Sequence, residues 1–377
     1  GEYMNPFLTA EYRDGRVRIG EKTYAAGAYA VHLLNQYYKN DTAARLSVYK
    51  RHGWNVMEQL PAGYLNEDDF LGAGEEIGHI LDTLPDLKPF DLLDISAERS
   101  RIAGLFSQDS FELLTDYFCR RSAVERRPQN ELDFGILPPE YDNDVFKSAT
   151  KRIEDISYTL SFYNAVSDDM QTAHRQLVEF AGRIEEANRL DEVHLLPIAL
   201  EVFGSAAFPV RTEYVPQQKN AKSPAAVVAR KLYFDRYYSS VVTDFFEGLH
   251  FGHYPRQCGI CKRYFLMTSA RRQQYCNGIA PYEVRGRKIT CRKFAASIHR
   301  KELAAADPVI DLYNRRCAAI RVEKGRQTIS SEFAKAAKAL AKEYKLRAKQ
   351  DAEYAKKRYL LDMSRERLYA EADKRSK

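Results

Sequence analysis

The chain has 377 residues, of which 45% are hydrophobic and 29% charged, and its formal net charge is +6. This composition is that of an ordinary globular protein, long enough for roughly one to three domains. No segment approaches the length of an apolar membrane helix, and the N-terminus lacks a basic stretch followed by an apolar one, so we expect neither a membrane span nor a secretory signal.

Residues 7–26 are predicted to form a β-hairpin. Two strand-like runs, from Phe7 to Tyr12 and from Val17 to Tyr24, flank the pair Asp14-Gly15. An Asp-Gly pair between two such runs is a strong signal for a tight turn.

The region from about residue 27 to 200 is predicted to be mostly helical. Apolar residues recur at helical spacing on both sides of the polar run Ser167-Asp168-Asp169, which indicates buried helix faces. These residues are Ile153, Ile156, Leu160, Tyr163, Leu177, Phe180 and Ile184. The breakers expected in the connections are Pro85-Asp86, Pro138, Pro139 and Pro197.

Residues 206–251 are predicted to pass from strand and loop into a helix. A short strand around Val210 to Val215 precedes a polar loop, and Ser223-Pro224 pairs an N-cap with a first-turn proline, so a helix is expected to run to about residue 249. Its aromatic residues are expected to form a buried packing face rather than a base-stacking platform. They are Tyr233, Phe234, Tyr237, Tyr238, Phe245 and Phe246.

The last seventy residues are predicted to be basic and helical. Asp307-Pro308 again pairs a cap with a first-turn proline and starts a helix that runs to about Glu323. From Ser331 onward, a narrow apolar seam at helical spacing predicts one or two long charged helices, docked along one side or pairing with a partner. The seam consists of Phe333, Ala337, Leu340 and Tyr344.

Four of the six cysteines predict one metal site, with the spacing C-x2-C-x14-C-x14-C. Zinc prefers a tetrahedron of Cys or His ligands, and a C-x2-C turn supplies two thiolates from one tight loop. The expected ligands are Cys258, Cys261, Cys276 and Cys291. His253 and His299 flank them and are alternatives for one cysteine. A closed shell of four thiolates has no open position, so the expected zinc is structural rather than catalytic.

The other two cysteines, Cys119 and Cys317, stand alone in the sequence. A secreted protein stabilised by disulfides would spread its cysteines in pairs, so this pattern favours a reducing, cytoplasmic setting. The two lone cysteines are expected to be small buried hydrophobic residues.

The motifs around the cysteines resemble those of an uncharacterised family of bacterial proteins, known only as a domain of unknown function. The family pattern combines C-x2-C-G-x-x-F, Y-C-N-x-I-A-P and T-C-R-K with a basic helical tail, and it resembles residues 245–305 of this chain well. Where family members tend to have a glycine after the first cysteine pair, this chain has Lys262, and it also carries an insertion over 285–288. The resemblance strengthens the four-cysteine site and implies no activity.

The expected fold is therefore mainly α, with a small β-hairpin in a helical N-terminal region, an embedded zinc-ribbon-like module and long C-terminal helices. Four segments are predicted. They are an acidic, mostly helical domain over 1–205, a strand, loop and aromatic-rich helix over 206–251, a zinc-binding module over 252–305 and a basic helical tail over 306–377.

The net charge divides between two opposite parts of the chain. Residues 251–377 contain 31 Lys and Arg against 13 Asp and Glu, a net charge of +18, whereas residues 1–250 contain 27 against 39, a net charge of −12. Such asymmetry suggests a basic face for a polyanion. Alternatively, the acidic and basic parts neutralise one another across an internal interface.

Nucleic-acid binding, to DNA or RNA, is the function that this pattern favours. Basic residues held by zinc would form a fixed positive surface that binds phosphates, with interleaved aromatic residues that could stack on bases. The aromatic residues are Tyr264, Phe265, Tyr275 and Tyr282. The basic contact residues are predicted to be Lys262, Arg263, Arg271, Arg272, Arg285, Arg287, Lys288, Arg292 and Lys293.

The competing hypothesis is a protein-interaction or scaffold protein, whose basic module docks on an acidic partner or on the acidic N-terminal half. An enzyme is a third class, but no catalytic motif occurs. Gly72 and Gly74 resemble a phosphate loop with the wrong spacing, and Glu76-x-x-His79 matches only half of a di-iron motif.

Overall fold

A computed structural model describes residues 8–39, 42–47, 51–125, 144–205, 207–269, 271 and 273–376. The chain forms two compact units, residues 1–274 and residues 275–377. The mainly α fold class is confirmed. The division of the chain into the four predicted segments stays a prediction. Pro138 and Pro139, which were expected in a connection, lie outside the described residues.

The N-terminal unit contains an antiparallel five-stranded sheet. Its strands are β1 (Thr9–Arg13), β2 (Arg16–Ile19), β3 (Lys22–Ala25), β4 (Arg211–Asn220) and β5 (Ser223–Tyr233), in the spatial order β3-β2-β1-β5-β4. The predicted turn at Asp14-Gly15 is confirmed, since both residues have positive φ angles, 50° and 72°, as a two-residue hairpin requires. The predicted second strand is divided in two, because Gly20, with φ 60°, turns the chain between β2 and β3.

The prediction that Ser223 opens a helix was wrong. Ser223 Oγ does accept a hydrogen bond from Ala225 N (3.2 Å), as an N-cap would, but the chain continues as strand β5. β5 pairs with β4 along its length and with β1 at its end, so tertiary pairing outweighs the local capping signal. The turn is closed at Asn220, whose side-chain oxygen accepts from Lys222 N (2.9 Å).

The helices of the N-terminal unit pack around one apolar core, together with the inner face of the sheet. They are α1 (Ala28–Gln36), α2 (Thr42–Ser47), α3 (Arg51–Ala62), α4 (Glu67–Thr83), α5 (Ile95–Leu105), α6 (Gln108–Glu125), α7 (Asp144–Arg183), α8 (Glu192–Phe203) and α9 (Tyr237–His250). Of the six aromatic residues predicted to form a buried face, Phe234, Tyr237 and Phe245 are buried, and Tyr238 and Phe246 pack half-buried against the same core. Tyr233 lies on β5, is only half-buried and is not part of this core.

Helix α7 is one uninterrupted helix of 40 residues that runs through Ser167-Asp168-Asp169. The polar run does not break it, because the carboxylate of Asp169 is directed to the start of α9. There it receives two hydrogen bonds from the Arg236 guanidinium, at 2.9 and 2.7 Å, and one from Tyr238 N (3.3 Å). Pro197 likewise lies inside α8 rather than between helices.

Helix α1 is capped by a carboxylate that is distant in sequence. Its own N-cap residue, Gly27, has no side chain to cap it. Asp244, which is fully buried on α9, accepts instead from Ala30 N (3.1 Å) and from the Tyr12 hydroxyl of β1 (3.0 Å). Gly248 lets the two helices approach, since a Cβ there would lie 2.9 Å from Gly27 Cα. Burial raises the pKa of Asp244 to about 6, although the bonds from the backbone and Tyr12 oppose this shift.

The C-terminal unit combines a short β-hairpin with helices. The hairpin is β8 (Ile279–Val284) and β9 (Arg287–Thr290). The helices are α10 (Cys291–Ala306), α11 (Pro308–Gly325), α12 (Ser331–Gln350), α13 (Ala352–Lys357), α14 (Tyr359–Asp362) and α15 (Arg365–Ser376). The strands β6 (Tyr254–Gln257) and β7 (Tyr264–Met267) belong to the N-terminal unit.

The helical tail folds back on itself. The predicted cap at Asp307 is confirmed, since its carboxylate accepts from Val309 N (3.0 Å). The prediction of one or two long helices was wrong after residue 350, because Asp351 ends α12 and caps α13. The predicted seam of α12 packs against α11 and α15, and the Tyr359 hydroxyl donates to Val309 O (2.8 Å). The seam therefore contributes to this unit's own core.

Cys317 is buried, as predicted, but Cys119 is exposed on α6, so the prediction of two buried lone cysteines was half wrong.

No described helix is both long enough and apolar enough to cross a membrane. Gly72 and Gly74 lie within helix α4 and not in a loop. The Glu76 carboxylate accepts from His52 N (2.8 Å) and Gly53 N (2.9 Å), so it caps the start of α3.

The raised pKa of Asp244 predicts a distinctive pH dependence of stability. The folded-state pKa of about 6 lies above the ordinary value of 3.8, so the group's contribution to the unfolding free energy is greatest below pH 4 and is lost as the pH rises through 6. Urea unfolding should show the wild type losing about 2 kcal/mol relative to Asp244→Asn between pH 4 and 7. The exposed control Glu179→Gln should show no such change, and a constant difference between wild type and Asp244→Asn would contradict the assignment.

Candidate metal centre

The first cysteine pair lies in the turn between β6 and β7. Cys258 N donates to Arg263 O (2.8 Å), which continues the strand pairing, and Lys262 N donates to Cys258 O (3.1 Å). Ile260 N points at Cys258 Sγ at 3.5 Å. Such N–H donors favour the thiolate over the thiol, so the turn is shaped to present negatively charged sulfur.

Lys262 occupies a position that favours glycine. Its φ angle is +62°, in the left-handed region, where a side chain costs about 1–2 kcal/mol. This strain is tolerated because the turn must reverse directly after Cys261, and Gln257 Nε2 holds the turn by donating to Lys262 O (3.0 Å). Glycine would adopt this conformation without that cost, because it has no Cβ.

The β6–β7 hairpin is attached to the core of the N-terminal unit. Asn35 of α1 binds the backbone of Tyr264 in both directions, with its Nδ2 donating to the carbonyl and its Oδ1 accepting from the amide, each at 2.8 Å. Tyr254 and Met267 are buried in the same core. The first cysteine turn therefore extends from a rigid base.

The second pair of cysteines flanks the β8–β9 hairpin. Cys276 precedes β8, Cys291 is the first residue of α10, and Cys291 N donates to Gly278 O (2.9 Å). Thr290 caps α10 by accepting from Lys293 N (3.3 Å). A thiolate at this position is also favoured by the helix dipole. Gly278 leaves room for sulfur, because a Cβ there would lie 3.3 Å from Cys276 Sγ.

The four predicted sulfur atoms are brought together, and all lie within 4.8 Å of one another. Cys258, Cys276 and Cys291 are buried, and Cys261 is partly exposed. Four thiolates this close repel one another strongly unless a cation lies between them, so the arrangement is suited to a metal ion. A shell of four sulfur donors is a closed site, in which no position is left for a substrate.

The two histidine alternatives are not part of this group. His253 Nδ1 lies 2.8 Å from Ala26 O, which gives that ring a structural hydrogen bond. His299 is exposed on α10. Within the described part of the chain, the cysteines alone form a group with metal-ligand geometry.

The basic residues predicted to bind nucleic acid are exposed wherever the structure describes them. They are Lys262, Arg263, Arg271, Arg285, Arg287, Lys288, Arg292 and Lys293, whereas Arg272 lies outside the described residues. Five of them belong to the C-terminal unit, three in or beside the turn of the β8–β9 hairpin and two in the first turn of α10. By contrast Arg256, a neighbour in sequence, is buried and paired with Glu185.

The interleaved aromatic residues divide into two kinds. Tyr264 and Phe265 pack against the N-terminal core, so the prediction that they accompany the basic surface is not supported. Tyr282 is 55% exposed on β8 and stacks on Phe294 of α10, with ring centroids 5.1 Å apart. Tyr275 is partly exposed.

Two contributors to the site were missed by sequence reasoning. Gln274 O accepts from Gly259 N (3.1 Å) and so holds the first turn, and Gly278 makes room for Cys276 Sγ. Gly278 had a detectable signal in the sequence, because a glycine near a predicted metal ligand often marks a place where another group approaches the backbone closely. Gln274 had none, since it contributes only its backbone carbonyl.

Residues 205–375 match the model of DUF6076, a family of unknown function, so this part of the chain carries an uncharacterised domain. The match confirms the resemblance to an uncharacterised family and extends it from strand β4 to helix α15. It does not by itself identify the cysteines as a motif of that family. No curated protein and no solved structure matches the chain.

Substitution of Lys262 should separate backbone strain from charge. Lys262→Val should lower stability by about 1–2 kcal/mol, because a β-branched residue is poorly tolerated at positive φ, whereas Lys262→Gly should unfold at the wild-type temperature or above it. Thermal unfolding of the metal-loaded protein measures this. Arg263→Val, at the next exposed position, is the control; equal losses in all three variants would contradict the argument.

Removal of the metal should loosen the cysteine turns selectively. In Cys276→Ser, or after chelation, metal analysis should fall from about one ion per chain toward zero. Hydrogen exchange should accelerate at Cys258 to Lys262 and at the start of α10, and stay unchanged in β1 and β2. Cys119→Ser removes a cysteine outside the group and should retain the metal. Full metal content in Cys276→Ser would refute the site.

Proposed function

We propose that the four cysteines bind one structural zinc ion and that the exposed basic residues beside them bind the phosphate backbone of a nucleic acid. The observation that carries the proposal is the convergence of four sulfur atoms within a strongly basic stretch of chain. The proposal also places the protein in a reducing, cytoplasmic compartment, since the thiols must stay reduced to bind metal.

Zinc is the metal that the donor set favours. Ligands at about 2.3 Å from a tetrahedral zinc ion would lie roughly 3.8 Å apart, which is compatible with sulfur atoms that all lie within 4.8 Å. Thiolates select zinc or iron over magnesium and calcium. The tight turn after a C-x2-C pair and a ligand at a helix start support a zinc-ribbon-like arrangement. An iron-loaded protein would absorb visible light and a zinc-loaded one would not, which distinguishes the two.

The positive charge exceeds what the metal site needs. Four thiolates and one divalent cation leave about two negative charges, which a few neighbouring cations can balance. Residues 275–377 alone contain 26 Lys and Arg against 13 Asp and Glu, a net charge of +13. None of the eight described basic residues predicted as contacts forms an ion pair with a described carboxylate, so their charges are directed at solvent.

The β8–β9 hairpin and the start of α10 carry arginine and lysine side chains for phosphate contacts, and Tyr282 is exposed on the same hairpin. Arg287 and Lys288 lie on β9, and Arg285 forms the turn with Gly286. Phosphate contacts of this kind give affinity without sequence preference. An exposed tyrosine adds a surface on which an unpaired base can stack.

The test is binding of mixed-sequence DNA and RNA across a salt series. The variant Arg285→Asn/Arg287→Ala/Lys288→Ala uses Asn at position 285 because φ is positive there. Its affinity should fall uniformly across sequences, and the slope of log K against log salt should decrease by about one for each lost contact. Arg51→Ala/Arg175→Ala/Arg189→Ala removes three exposed arginines from the N-terminal unit and is the charge-matched control.

Absence of binding at low salt, or binding without salt dependence, would refute the nucleic-acid proposal. A scaffold protein that docks on an acidic partner would then be favoured. It predicts that the hairpin variant loses a co-purifying acidic protein while retaining its metal.

A further inference from the structure

A polar cleft lies on the N-terminal unit, between strands β1 to β3 and the part of the paired strands β4 and β5 that extends beyond β1. This pair of strands is called the β4–β5 ribbon. Its volume is about 480 Å³. It is lined by Glu11, Arg13, Arg16, Arg18, Glu21, Thr23, Gln217, Gln218, Lys219, Asn220 and Ala221. This lining contains no large apolar side chain, so the cleft is suited to a polar ligand.

The ribbon forms one wall of the cleft because it extends past its neighbour in the sheet. β5 pairs with β1 only from Arg230 to Tyr233, and its earlier described residues pair with β4 alone. Arg13, at the end of β1, holds the extension in place. Its Nε donates to Gln217 Oε1 (2.8 Å) and its Nη2 to Lys219 O (3.1 Å).

Positive charge dominates the lining, with four cations against two carboxylates. Glu11 is already engaged, since it accepts from Gln217 Nε2 (3.0 Å) and lies 4.0 Å from Arg18. Arg16 and Lys219 are exposed, and neither pairs with a carboxylate among the described residues. The cleft therefore offers two cationic groups that no described carboxylate neutralises.

We propose that this cleft binds a phosphate group, carried either by a nucleic-acid strand or by a free nucleotide. Arginine presents a planar fork of donors that matches phosphate oxygens, and Arg13 is held in one orientation by its two bonds to the ribbon. The amides of Gln218 and Asn220 also line the cleft, and each gives one atom to the β4–β5 turn: Gln218 Nε2 donates to Ser223 O (3.0 Å) and Asn220 Oδ1 accepts from Lys222 N (2.9 Å). The site lies in the unit that is acidic by composition, away from the cysteine motifs in sequence.

This inference is independent of the proposed function, because it concerns other residues in the other unit. The cleft variant Arg16→Ala/Lys219→Ala removes two exposed cations whose side chains make no hydrogen bond or ion pair with the described residues. Arg13 is left intact because it holds the ribbon. Arg175→Ala/Arg189→Ala, two exposed arginines elsewhere in the same unit, is the matched control.

Two probes distinguish the two sources of phosphate. One is a fluorescent mixed-sequence oligonucleotide of roughly 20 bases, longer than the site of most single-strand modules, followed by anisotropy. The other is ADP, followed by calorimetry. We expect the cleft variant to bind at least one probe about tenfold or more weakly than the wild type, with circular dichroism unchanged, and the control to bind normally.

Loss of oligonucleotide binding alone identifies a strand as the ligand, and loss of ADP binding identifies a nucleotide. The inference is overturned if the cleft variant matches the wild type with both probes, including the case in which neither binds, or if the control loses as much affinity. The hairpin variant separates the two proposals. Oligonucleotide binding that is lost there and retained in the cleft variant would leave the proposed function standing and refute this cleft.

Discussion

The close approach of four sulfur atoms is the constraint on which the candidate metal centre depends. As thiolates they repel one another, and only a cation among them makes their packing favourable. The backbone is arranged for this purpose in both turns: Ile260 N points at Cys258 Sγ, and Gly278 leaves space beside Cys276 Sγ. The strained φ angle of Lys262 is a cost of the same geometry.

The turns that present these sulfur atoms rest on ordinary secondary structure. The first extends from the β6–β7 hairpin, which Asn35 attaches to α1 of the N-terminal core. That helix begins at the buried carboxylate of Asp244, which also binds Tyr12 of β1. The second is formed around a β-hairpin and the capped start of α10. The position of the first cysteine turn therefore depends on the hydrogen bonds of Asn35 and Asp244, which lie outside the turn itself.

Predictions from the sequence were correct where a few adjacent residues decide the structure. They were wrong where pairing between distant segments decides it. The Asp14-Gly15 turn and the Asp307 cap were predicted correctly, because each is decided by a few adjacent residues. Ser223 gives the same capping hydrogen bond as a helix start, yet β4 and β1 draw the chain into a strand. Pro197 was expected in a connection between helices, yet it lies inside α8.

The sequence by itself determined the mainly α class, the four cysteines that form one group and the concentration of basic charge near them, because spacing and composition express these directly. Only the tertiary structure decided that Tyr264 and Phe265 face the core, and that Arg13 and Lys219, 206 residues apart, meet at one cleft. The physical reason is that a side chain's exposure and partners depend on strand pairing and packing between distant segments. Such long-range contacts leave no periodicity in the chain.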